Sequence, residues 1–169
     1  MADSEPTGEE AYALAKKVVY DRLAARSQSR AELERALATR RVPAETAAVV
    51  LDKFEAAGLV DDAAFTRSWV EGRQRGKGLA QRALAMELRQ KGVDDEIARQ
   101  ALAAIDPDEE RQAAHRLVQR KLRSMDGLDE QVKTRRLVGM LARKGYPPGL
   151  SYAVVAEELG SEVEPIESV

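Results

Sequence analysis

Residues 84–93 read LAMELRQKGV, and the same arrangement stands at 33–42 (LERALATRRV) and at 137–146 (LVGMLARKGY). From Leu33 to Leu84 is 51 positions and from Leu84 to Leu137 is 53. If Gly92 is the left-handed residue just past a helix, Leu88 and Val93 are the pair that touch across a Schellman ending. Leu141 and Tyr146 stand the same way around Gly145. In the first copy Arg41 replaces the glycine, so that ending is expected to be strained or of another type, because a side chain at positive φ costs free energy. A repeat near fifty residues whose copies all end helices predicts stacked helical modules with function on an extended surface.

Outward from these endings the apolar spacing fills in the remaining helices. Thr7 and Glu10 have capping-box spacing ahead of Ala15, Val18, Val19 and Leu23, and Ser29 and Glu32 have it ahead of Leu33. Pro43 suits a first helical turn, Ala47, Val50, Leu51 and Phe54 share one face, and Gly58 should end that helix with Leu59–Val60 clamping it. Asp61 or Asp62 opens the next helix, with Phe65 and Trp69 one turn apart, and a turn is expected at Arg75–Gly76–Lys77–Gly78. Asp94 or Asp95 caps a helix carrying Ile97, Ala101, Leu102 and Ile105. Asp106–Pro107, with Glu109 placed for a capping box, opens one carrying Leu117, Val118, Leu122 and Met125. Asp126–Gly127 and Pro147–Pro148 introduce the last two. No segment alternates as a strand would. The expectation is an all-α chain of three tandem three-helix repeats, 9–60, 61–105 and 106–159, elongated and curved, between disordered acidic tails at 1–8 and 160–169.

Composition narrows the function. Aromatic residues are 4 % of the chain, which suits close packing of alanine-rich helices more than a thick core, and zero cysteines exclude disulfides and thiolate metal sites. With no long apolar run and no signal-peptide pattern, the expected setting is the cytoplasm, away from membranes. The net charge of −2 conceals a segregation. Nine acids and no bases fall in residues 1–10 and 157–169, leaving 27 bases against 20 acids between them, a net of +7.

Catalytic chemistry has little to stand on: one histidine, His115, read as a solvated surface side chain, and no ligand cluster for a metal. No cofactor is expected and no enzyme. The Arg75–Gly78 segment lacks the order of a phosphate-binding loop. The bases are more informative. Residues 67–91 carry Arg67, Arg73, Arg75, Lys77, Arg82, Arg89 and Lys91 against only Glu71 and Glu87. Residues 111–123 carry Arg111, Arg116, Arg120, Lys121 and Arg123 with no acid, and Arg116, Arg120 and Arg123 form one helical stripe. Lys133, Arg135, Arg136, Arg143 and Lys144 follow. The helix dipole explains Arg89, Lys91, Arg143 and Lys144 in last turns. It does not explain Lys133–Arg136 near a helix start, nor the stripe, so an anionic partner is the reading. Arg73, Arg75, Lys77, Arg82, Arg89, Lys91, Arg116, Arg120, Lys121, Arg123, Lys133, Arg135, Arg136, Arg143 and Lys144 are its candidate contacts. Phe65, Trp69 and Phe54 are assigned to the core rather than to base stacking.

One stretch carries a family likeness. From Gly58 to Val93 the chain has Gly-Leu-Val-Asp-Asp before Phe65, then Trp69, Arg73, Gly76-Lys-Gly78, Arg82 and Glu87-Leu88 ahead of Lys91-Gly92-Val93. With Ser29-Arg30-Ala31-Glu32-Leu33 upstream, this resembles the RecX family, small regulatory proteins that act on the RecA recombinase. Arg41 departs from the family's usual glycine, and Thr66 stands where alanine is common. The resemblance spans roughly residues 12–159. It implies binding to the RecA–DNA filament, in its groove or at its growing end, and a block to its extension, ATP hydrolysis, strand exchange and co-protease action; the chain itself is expected to be a monomer. It also implies DNA binding, to single strands, with double strands left open. Two other readings, a helix-turn-helix DNA-binding regulator and a scaffold that binds only protein, fit the repeat without the resemblance.

Overall fold

The helix endings are where the repeat shows its physics. In the computed structural model, which describes residues 4–160, Gly92 has φ +71°, the Val93 N–H donates to the Leu88 carbonyl and the Gly92 N–H to that of Arg89. Gly145 closes the third copy identically, through Tyr146 to Leu141 and Gly145 to Ala142. These are the two reversed bonds of a Schellman ending. Gly58 makes a fourth, with the Leu59 N–H on Phe54; Val60 is buried behind it while Leu59 lies about half exposed. At 33–42 the structure takes the strained option. Arg41 sits at φ +56° and still makes the same pair of bonds, Val42 to Leu37 and Arg41 to Ala38.

Among the described residues there are nine helices and no strand: α1 (Gly8–Ala25), α2 (Arg30–Thr39), α3 (Ala44–Ala56), α4 (Asp62–Lys77), α5 (Gln81–Gln90), α6 (Asp95–Ala103), α7 (Pro107–Leu122), α8 (Glu130–Arg143) and α9 (Pro148–Leu159). They form three three-helix repeats. Four of their starts are capped by a side chain. Ser29 and Glu32 close a full capping box, the Asp61 carboxylate accepts from the Ala64 N–H, Asp94 from Glu96 and Asp106 from Asp108.

Several local expectations need correction. Thr7 occupies the N-cap of α1 but its hydroxyl makes no capping bond, and Glu109 closes no box with Asp106. Pro43 is itself the N-cap residue, one position ahead of the expected first turn. The Arg75–Gly78 segment is not a turn: α4 runs through Gly76 to Lys77, and Gly78 alone turns left-handed, at φ +63°. Helix α6 has no fully buried residue; Ile97 and Leu102 are half-buried, and Ile105 beyond its end fills the core instead. Residues 1–3 and 161–169, most of the expected tails, lie outside the described residues.

The chain forms two compact units, and the division cuts through the middle repeat. The first holds residues 1–69 and 87–99, the second 70–86 and 100–169. In the first, α1, α2 and α3 surround Val19, Leu33, Leu37, Val50 and Leu51, with Phe54 set edge-on to Tyr20. In the second, α7, α8 and α9 surround Ala114, Val118, Leu137, Leu141, Val154 and Val155.

Each unit also contains one joint between consecutive repeats, and the two joints are built alike. In the first unit the C-terminal end of α5 meets the start of α2. The Ser29 hydroxyl donates to the Lys91 carbonyl at 2.6 Å, the Lys91 ammonium pairs with Glu32 at 2.7 Å, and the Arg30 N–H donates to Asp62 at 2.8 Å. In the second unit the C-terminal end of α8 meets the start of α5. The Ala80 N–H donates to the Lys144 carbonyl at 2.8 Å, the Lys144 ammonium donates to the Lys77 carbonyl at 2.7 Å, and Glu110 accepts from the Gln81 N–H. Both joints need their glycine for a second reason. A Cβ on Gly92 would lie 2.4 Å from the Cβ of Ala31, and one on Gly145 would lie 2.4 Å from the backbone nitrogen of Ala83.

Candidate nucleic-acid interface

Helix α7 opens with acids and closes with bases, which its dipole favours at both ends. The stripe is as the spacing predicts: Arg116, Arg120 and Arg123 are exposed, as is Lys121, and none pairs with a carboxylate among the described residues. Arg111 is different. It pairs with Glu157 of α9, and so does His115, whose Nε2 lies 3.0 Å from Glu157 while Nδ1 lies 2.6 Å from Glu158. Gln119 donates to the same Glu158. His115 is therefore not a solvated histidine. It is a half-buried clasp between α7 and α9, completed by Glu157 and Glu158.

Two clefts in the second unit gather the bases. One, of about 530 Å³, is lined by Arg75, Lys77, Arg116, Arg120 and Lys144, with Glu71, Glu109 and Glu110 among its acids. Glu71 pairs with Arg75, and Glu110 is pushed above the ordinary carboxylate range by burial, against the pull of the Gln81 N–H. On its wall the Tyr146 hydroxyl donates to the Gly78 carbonyl at 2.8 Å, and burial together with Glu110 pushes that phenol up to about 12. The second cleft, of about 520 Å³, is lined by Lys121, Arg135, Arg136 and Arg143 with Ser124, Met125 and Met140. Among the described residues no acid lines it. Four cations facing one aqueous cleft with no counter-charge repel one another until an anion arrives.

The remaining candidates are scattered. Arg82 and Arg89 are exposed on α5, and Lys133 is half-buried on α8. Arg73 is half-buried and engaged. Lys91 is a structural cation: besides Glu32 it lies 4.6 Å over the Trp69 ring. Trp69 stacks on buried Phe65 and donates its indole N–H to Glu87 at 2.9 Å. Phe54 and Phe65 are core residues as expected, while Trp69 is half-buried and carries a polar role the apolar spacing did not reveal. No group of histidines and carboxylates among the described residues could hold a metal, and no described helix is long and apolar enough to cross a membrane.

Residues 61–102 match the RecX second three-helix domain and residues 108–155 the RecX third three-helix domain. The chain belongs to the RecX family. It is 46 % identical over 159 residues to the regulatory protein RecX of Amycolatopsis mediterranei, covering 94 % of this chain and 91 % of that one. With the regulatory protein RecX of Mycolicibacterium smegmatis it shares 50 % identity over 154 residues, 89 % of this chain and 82 % of the other. The fold is also that of a RecX crystal structure from Lactobacillus salivarius, with a TM-score of 0.79 at 17 % identity over 88 % of this chain and 96 % of that one. The second RecX domain is the one divided between the two compact units, and the third supplies α7, which lines both basic clefts, and α8, which lines the second.

Proposed function

We propose that this protein is a non-enzymatic, cytoplasmic regulator that binds a RecA–DNA filament as a monomer. It thereby inhibits filament extension, ATP hydrolysis, strand exchange and co-protease action, and so acts in recombinational DNA repair and the SOS response. Family membership supports the RecA partner. The DNA contact is supported by one observation above the rest: the cleft whose charged lining is Lys121, Arg135, Arg136 and Arg143, with no acid among the described residues. Guanidinium groups donate two parallel hydrogen bonds to a phosphate, and three of these four cations are arginines. A surface evolved only for solubility would intersperse the two signs of charge.

The test is RecA-coated single-stranded DNA, with ATP hydrolysis followed as this protein is added. Hydrolysis should fall as the protein approaches the filament's binding capacity. Undiminished hydrolysis at saturating protein would overturn the reading.

A further inference from the structure

The groove between α1 and α2, in the first unit, lies outside every basic stretch considered so far. It encloses about 460 Å³, and its charged lining is Lys17, Arg22, Arg26, Arg35 and Arg40 against Asp21 and Glu32. Both acids are already engaged. Asp21 pairs with Lys17 at 2.8 Å, and Glu32 holds Arg26 at 3.3 Å and Lys91 at 2.7 Å while closing the cap of α2. What remains is Arg22, bonded only to the neutral Gln28, and Arg35 and Arg40, which are exposed and pair with no carboxylate of the described residues. Three arginines with no carboxylate partner among the described residues thus line one groove, the head of Arg35 reaching to Gly92 at its side.

The strained residue follows the last of these arginines in the chain. Arg41, exposed and adjacent to Arg40, is the one described non-glycine residue with positive φ. At the equivalent positions, Gly92 and Gly145 are each pressed against the neighbouring repeat, where no side chain fits. The end of α2 carries no such joint, so position 41 is released from that constraint. Release permits an arginine but does not favour one, because the left-handed conformation remains costly. The helix dipole favours a cation at Arg40 but gives no reason for a side chain at φ +56°. Strained positions of this kind cluster at functional sites.

We propose that Arg35, Arg40 and Arg41, backed by Arg22, form a second phosphate-binding site in the first repeat, taking the phosphodiester backbone of single-stranded nucleic acid. The uncharged lining is Leu14, Val18, Ala36 and Thr39, and the Thr39 hydroxyl is occupied by the Arg35 carbonyl. The site therefore offers charge but neither an aromatic platform nor a free amide to read a base. It binds without sequence preference. This inference rests on the proposed DNA-binding function and adds the first repeat to it.

The test is fluorescence anisotropy of a labelled homopolymeric oligonucleotide across a salt series. Arg35→Ala with Arg40→Ala removes two phosphate contacts, so the salt slope should shrink by about 1.4 and low-salt affinity should fall roughly tenfold. Alanine is the better helix former, so the thermal melt controls for folding. Arg41→Gly is the second variant: it should bind DNA more weakly while melting no lower than the parent chain, a combination that a merely structural residue would not give. An unchanged slope and affinity in the double variant overturns the proposal, and if filament inhibition nevertheless drops, the groove serves an acidic protein face. A parent chain that binds no oligonucleotide sinks this site and the DNA contact together. Loss of binding only in variants of the α7 and α8 clefts sinks this site alone.

Discussion

At the residue scale, glycines that look interchangeable in the sequence are not. Gly58 has open space where a Cβ would go, whereas Gly92 and Gly145 face Ala31 and Ala83 at 2.4 Å. Gly58→Ala should cost only the left-handed conformation, about 1 kcal/mol. Gly92→Ala should cost about 2 kcal/mol or more, since overpacking is added, and Gly145→Ala more again because it strikes backbone. Equal melting shifts for the three variants would show that the joints do not close as described. Thr66 points the other way. It is fully buried in α4, and its hydroxyl finds no partner. Thr66→Ala should stabilise by about 1 kcal/mol, from the removed orphan and the better helix propensity. A lower melting temperature for that variant would mean the hydroxyl is satisfied. The helix endings were legible because they depend on residues five apart. The close approach of Gly92 to Ala31 was not, because it is set by packing between repeats distant in sequence.

At the element scale, three carboxyls hold the joints and titrate in opposite senses. Glu32 is raised by burial, but hydrogen bonds from Lys91, Arg26 and the Ser29 N–H outweigh that and hold it below its ordinary value. Asp62 is raised by burial, opposed by the Arg30 N–H, and Glu110 is raised likewise. A depressed carboxyl contributes stability above its unfolded value, lost as pH falls through the folded one; a raised carboxyl binds its proton more tightly when folded, so acidification favours the fold. Glu32→Gln should therefore lower the melting temperature at neutral pH, with the deficit vanishing below the ordinary carboxylate range. Glu110→Gln should match or exceed the parent at neutral pH, the difference closing just above that range. Melts across pH that move both variants in the same direction would contradict the assignment. Charge alternation along the sequence gives no hint of this, since Glu32 and Lys91 are joined only by the fold. Misreading of His115 had the same source: its carboxylate partners lie on α9, and nothing near it in the sequence announces them.

At the scale of the whole molecule, the question is whether DNA contact causes regulation or accompanies it. Repeat architecture and a basic middle were legible from spacing and charge, and the proposed RecA partner came only from the family likeness. Sequence alone could not say which bases would share a cleft, because Lys121 and Arg136 come together only when α7 packs beside α8. The stripe Arg116, Arg120 and Arg123 is exposed and free of ion pairs among the described residues, so replacing all three by alanine should leave the fold intact. For a chain neutralising about five phosphates of a single strand, the salt slope is about −3.5, and a fourfold rise in salt weakens binding about a hundredfold. The triple variant should bind more weakly, show a shallower slope and inhibit RecA-driven ATP hydrolysis less. Suppose it loses DNA affinity and slope together yet inhibits the filament fully. Phosphate contact would then be incidental, and the regulation would have to run through protein–protein binding at a face that keeps its charge when α7 loses its own.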